Sequence, residues 1–118
     1  MDRIITITTG DPNTGNLTLS DQGTTNADRG DQITWVIGAN SGVGSIAAIL
    51  EKPNSADVFS PDPVQLPNST SWQGTINPNV AGGTVEFYTI NWTTAGSGWL
   101  NQGGGINKSY DPKIQVNP

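Results

Sequence analysis

An all-β fold, a Greek-key β-sandwich of seven or eight strands, is predicted for this 118-residue chain by three observations. Gly (15) and Pro (8) are frequent, and hydrophobic residues make up 33% against 13% charged, a balance that interrupts helices and favours short strands joined by turns. Apolar residues recur at period two in several stretches, while no segment keeps a 3.6-residue apolar period over three turns. Turn signals separate these stretches at about ten residues, the interval of sandwich strands. The length fits one domain, residues 1–118, because compact domains run roughly 100 to 150 residues.

Each element has its own signal. Arg3 to Thr9 reads as a strand with Ile5 and Ile7 on one face and Ile4, Thr6 and Thr8 on the other, ended by the turn Gly10-Asp11-Pro12-Asn13. Asn16 to Ser20 is a short strand directing Leu17 and Leu19 inward, and the polar stretch Asp21 to Gly30 reads as a loop. Asp31 to Ile37 is the clearest strand, since Ile33, Trp35 and Ile37 alternate with Gln32, Thr34 and Val36. Val43 to Lys52 has helix formers in its composition but reads as a strand between Gly-rich and Pro-rich turns, with Ile46, Ala48 and Leu50 at period two.

The four prolines Pro53, Pro61, Pro63 and Pro67 make residues 53–67 an irregular crossing loop, with Val58 and Phe59 dipping into the core. Thr70 to Ile76 resumes a strand. Gly83 to Thr94 is the long central one, with Val85, Phe87 and Thr89 on one face and Tyr88, Ile90 and Trp92 on the other. Ala95 to Ser109 reads as a Gly-rich loop and Asp111 to Val116 as the last strand.

Charge and missing residue types narrow the function classes. Ten acidic against five basic residues give a net charge of −5, which disfavours nucleic acid and anionic membranes as partners. No apolar run approaches the roughly 20 residues of a membrane span. With Met1 as the natural start the expected compartment is the cytoplasm; otherwise the chain is exported, and the Asn-x-Ser/Thr triplets at Asn16, Asn68, Asn91 and Asn107 become glycan acceptors. Cys and His are both absent, which removes disulfides, thiolate chemistry, the usual general base and the commonest transition-metal ligands. No cofactor is expected.

Gly30-Asp31-Gln32-Ile33-Thr34-Trp35, Gly83-Thr84-Val85-Glu86-Phe87-Tyr88-Thr89 and Pro112-Lys113-Ile114-Gln115-Val116 follow one another in an order that resembles the cupredoxins, the plastocyanin-type copper β-sandwiches. The resemblance implies their fold and not their metal. Thr89 stands where the family has its Cys, Trp92 where a His follows, and Val43 or Gly44 where the earlier His falls, and no Met lies before the last strand. Type-1 copper needs the thiolate and two imidazoles. The closing Tyr110-Asp111-Pro112 stretch is also similar to that of bacterial inclusion-body and AidA-type proteins.

Glu51 and Glu86 are the only acids outside turn positions and form no motif with a second acid, so an enzyme is not expected and both are read as solvated strand residues. Asp11, Asn13 and Asn16 share a loop that offers oxygen ligands for calcium, but Asx-turn chemistry explains them better. Trp35 and Trp72 are expected in the core. The contact residues are expected at the other aromatic end: Trp92 where the strand leaves the sheet, Trp99, Leu100 and Asn101 in the Gly-rich loop, and Tyr110 after it. Two roles for Trp99 stay open, a contact surface or a lid over the sandwich end. The functional expectation is a non-catalytic binding or self-assembly module with a protein partner or a second copy. The alternative is a carbohydrate-binding module in which Trp99 and Tyr110 stack on sugars beside Asn91, Asn101, Gln102 and Asn107.

Overall fold

The computed structural model describes residues 2–11, 13–53, 55–94 and 107–118. These contain ten strands and no helix: β1 (Asp2–Gly10), β2 (Leu17–Leu19), β3 (Thr24–Ala27), β4 (Gln32–Ile37), β5 (Val43–Glu51), β6 (Val64–Gln65), β7 (Trp72–Thr75), β8 (Val85–Thr94), β9 (Asn107–Tyr110) and β10 (Lys113–Val116). They form two five-stranded sheets. The first runs β2-β1-β4-β7-β6; the second runs β3-β10-β8-β5, with β9 also paired to β8. Both are mixed, β1 lying parallel to β4 from Asp2↔Gln32 to Ile7↔Ile37 and β10 parallel to β3.

The sheets pack on each other because each strand turns its apolar alternates to one side. Ile5, Ile7, Ile33, Trp35 and Ile76 meet Tyr88, Ile90, Trp92, Ile114 and Val116, all fully or almost fully buried, while Ile4 points outward as its alternation requires. Three indole N–H groups then tie elements together. Trp35 Nε1 donates to the Tyr88 hydroxyl at 3.2 Å, Trp72 Nε1 to the Ile46 carbonyl at 3.2 Å and Trp92 Nε1 to the Gly15 carbonyl at 3.0 Å. Each bond runs between the two sheets or their connections, so the large rings are packed without a lost donor.

Four stretches differ from the sequence reading. The polar run 21–30 contains β3, whose Thr25 and Ala27 are buried; the Thr25 hydroxyl donates to the Asp21 carboxylate, so a polar strand is buried without an unmet group. In β5 the pairing with β8 slips between Val43 and Ser45 and again between Ile46 and Ala48. Such bulges shift the alternation, so Val43, Ile46 and Ile49 face inward and Leu50 outward. Residues 53–67 cross between the sheets with Val58 and Phe59 buried, as expected, and also contribute the two-residue β6. Residues 107–110, read as the end of a loop, form β9 on the same edge of β8 that β10 occupies further along.

Candidate functional site

The expected contact end is only partly what the sequence reading anticipated. Trp92 does not leave the sheet: it pairs with Ile46 on one side and Lys108 on the other, and is fully buried. Its ring lies so close over Gly10 that a Cβ there would meet the Trp92 ring at 2.7 Å and Val43 at 2.8 Å. The correction follows from β8 itself, whose inner face is Glu86, Tyr88, Ile90, Trp92 and Thr94 in unbroken alternation. Tyr110 is half-buried, and its hydroxyl sits where a side chain on Gly23 would stand, 2.7 Å from that position, at a backbone φ of +85° that itself favours glycine. Trp99, Leu100 and Asn101 lie outside the described residues.

The positions that match copper ligands do not converge. Val43 and Trp92 meet inside over Gly10, while Thr89 lies on the outer face of β8, where its hydroxyl donates to Asp111 at 2.8 Å. Asp11 accepts the Asn13 N–H at 2.8 Å, and its carbonyl accepts the Gly15 N–H, which is the Asx-turn arrangement.

Two surface features remain at this sheet. A cleft of about 410 Å³ is lined by Ala47, Asn91, Trp92, Lys108 and Ser109. On the outer face of the same sheet, Leu50 is 55% and Phe87 49% exposed. Leu50 stands opposite Thr89, two residues from Phe87 on the same face, which makes the two apolar side chains diagonal neighbours. Beside them Lys52 bridges to Asp111 at 3.1 Å.

A further group was not anticipated. Glu51, Asp57 and Glu86 bring carboxylate oxygens within 4.8 Å of one another, next to a smaller cavity of about 220 Å³ that Asp62 also lines. Glu51 comes from the end of β5, opposite Tyr88, and Asp57 from the crossing segment. Glu86 is not solvated but 2% exposed. Its carboxyl accepts the Val58 N–H at 2.8 Å. Burial, with the Asp57 and Glu51 charges added, pushes its pKa up from 4.5 to about 8, against the Val58 hydrogen bond. Glu51 is also raised, by burial first and then by Asp57 and Asp62. The signal was present in the sequence: Glu86 shares its strand face with Tyr88, Ile90 and Trp92, so period two alone places it inside. A general acid must reach the atom it protonates, and Glu86 offers almost no accessible surface for that.

No protein-family model matches the chain, and no curated protein matches it. Among solved structures, a cysteine protease inhibitor of Entamoeba histolytica is similar over 98% of this chain and 95% of its own, at 13% identity and a TM-score of 0.45. A likeness at that level carries nothing about function.

Proposed function

We propose that this chain is a non-catalytic binding or self-assembly module on a copper-free sandwich of the cupredoxin type, with a protein partner. The observation that supports it is the Leu50 and Phe87 pair, half exposed on the outer face of the second sheet and beside β5, which among the described residues pairs only with β8. Exposed apolar side chains in one place, rimmed by charges such as Lys52, Asp111 and Lys113, are the surface chemistry of a protein contact. Trp99, Leu100 and Asn101, which lie in sequence between β8 and β9, belong to the same reading. The lack of Cys and His supports a copper-free site and the absence of nucleophilic chemistry.

Sedimentation analysis over a wide concentration range tests self-assembly. The expected result is concentration-dependent association that Leu50→Lys with Phe87→Lys weakens by about tenfold or more. Association that the double variant leaves unchanged, or a monomer throughout, refutes this use of the face. The carbohydrate reading rests on a different observation, the cleft lined by Asn91, Lys108 and Ser109 against Trp92, whose amide, hydroxyl and ammonium suit sugar hydroxyls. Saturable quenching of Trp fluorescence by an oligosaccharide, absent in Asn91→Ala, would favour it.

A further inference from the structure

We infer that the Glu86 carboxyl keeps its proton beside Asp57, and that this proton fastens residues 55–63 to β8 as a pH-sensitive latch. The inference is independent of the binding function. Three carboxyl groups lie within 4.8 Å of each other, and like charges at that range do not all ionise when one of them is buried. Only Glu86 is buried, at 2% exposure, whereas Glu51 and Asp57 are exposed. The neutral member is therefore Glu86, its O–H donating to the Asp57 carboxylate while the other oxygen accepts the Val58 N–H.

The charged and titratable groups around it support this. Glu51 faces it from β5, Asp57 from the crossing segment and Asp62 from the rim of the small cavity, all of them acids. Along β8 its inner-face neighbour is Tyr88, a phenol that burial raises above its ordinary range. Across the sheet, β10 sets Ile114 opposite it. The nearest Lys in sequence to the trio, Lys52, is bridged to Asp111 at 3.1 Å. A proton is what remains to relieve the repulsion.

The latch holds a segment with few other ties to β8. Phe87 N–H donates to Ser55 Oγ at 2.8 Å on the outer side, Val58 N–H to Glu86 on the inner side, and beyond Val58 the bonds go to the other sheet, from Asn77 N–H to Val58 and from Ser60 N–H to Thr75. Losing the proton to solvent places a negative charge beside Asp57 with no cation among the described residues shifting its pKa, and opening the segment to water relieves it. Closure should weaken about tenfold per pH unit between the ordinary and the closed-state proton affinities, 4.5 and about 8.

Amide hydrogen exchange and carboxyl-carbon NMR on the full chain test this. From about pH 5.5 to about pH 7.5, with rates corrected for intrinsic exchange, Val58 protection should fall about a hundredfold, and at the higher pH Val58 should be less protected than Ile33 of β4. In Glu86→Gln, which keeps an acceptor for Val58 and a neutral donor for Asp57, the fall should be under about twofold. Asp57→Asn should move the Glu86 carboxyl-carbon midpoint down. A wild-type midpoint near that of an exposed Glu, an unmoved midpoint in Asp57→Asn, or Val58 and Ile33 equally protected at every pH would each overturn the latch. Restoration of Val58 protection at the higher pH by millimolar Ca2+ would assign the trio to a cation and overturn it as well.

Discussion

Replacing Trp92 by Ala tests how the buried end of the sandwich is held. The side chain is fully buried, its ring covers Gly10 and Val43, and its N–H satisfies the Gly15 carbonyl at 3.0 Å. Truncating so large a core residue costs about 3 to 5 kcal/mol, and the freed carbonyl keeps the variant toward the upper part of that range unless water reaches it. Small domains hold roughly 5 to 15 kcal/mol in total, so the variant should be partly unfolded or close to it. Trp92→Phe separates the two contributions: it keeps one aromatic ring, loses the indole bond, and should cost about 1 to 3 kcal/mol. Urea melts followed by circular dichroism measure both, with an unchanged m-value showing that the denatured state is not responsible. A loss below about 1 kcal/mol in Trp92→Ala would refute the packing argument and return this Trp to the list of contact residues.

Three further outcomes follow from single environments. Glu86 has its folded pKa raised, so the folded state binds more protons than the unfolded one between 4.5 and about 8; stability should fall across that window by up to about 5 kcal/mol, and urea melts at several pH values should find Glu86→Gln nearly flat there. Asp31 behaves oppositely: burial acts to raise it, but the Arg3 guanidinium at 2.5 Å and the Asp28 N–H lower it on balance, so its stabilisation is present above the unfolded pKa and lost as pH falls through the folded one. Asp31→Asn should cost about 1.5 to 3 kcal/mol at neutral pH and flatten the acid limb of the stability profile in melts below about pH 4. Gly10→Ala drives a methyl into Trp92 and Val43 and should cost about 1 to 3 kcal/mol by overpacking, read as a lower midpoint in the same melts.

The fold class was legible because alternation survives in most strands. Ile5 and Ile7, Ile33 and Trp35, Tyr88, Ile90 and Trp92 all fall on the inner faces that period two assigns. The misreadings have specific causes. Thr25 in β3 is a buried polar residue whose partner, Asp21, is visible only once the chain is folded. The two bulges of β5 move Ile49 inward and Leu50 outward, and nothing in a period-two count announces an inserted residue. The sequence reading carries the strand to Thr94, its observed end, but sets Trp92 apart as a contact residue because residues 95–109 read as loop; the β9 pairing of Trp92 with Lys108 covers that edge, and the alternation with Tyr88 and Ile90 buries the ring. The acid trio was missed for two reasons. Glu51, Asp57 and Glu86 are far apart in sequence and meet only through the pairing of β5 with β8 and the return of the crossing segment. A charge on a strand was also read as solvated, although the hydrophobes two, four and six residues on placed Glu86 among them.

β8 shows why the proposed contact uses the outer face of this sheet. Every alternate residue from Glu86 to Thr94 is buried, and each described partner is internal: Val58 for Glu86, Trp35 for Tyr88, Gly15 for Trp92. A ligand that took any of these groups would have to displace a bond or open the core, at a cost of one or more kcal/mol before any affinity is gained. The intervening residues carry no such obligation on their apolar atoms. Phe87 is half exposed, and among the described residues the side-chain hydrogen bonds of Thr89 and Thr93 are made by their hydroxyls, with Asp111 and Ser45. Under the proposed contact, a partner approaching the outer face therefore meets ready apolar area at Phe87 and Leu50 without unfolding anything, while under the proposed latch the Glu86 carboxyl on the opposite side of the same strand responds to pH. The two behaviours are separable by construction: Phe87→Lys leaves the acid trio in place, and Glu86→Gln leaves the outer face in place.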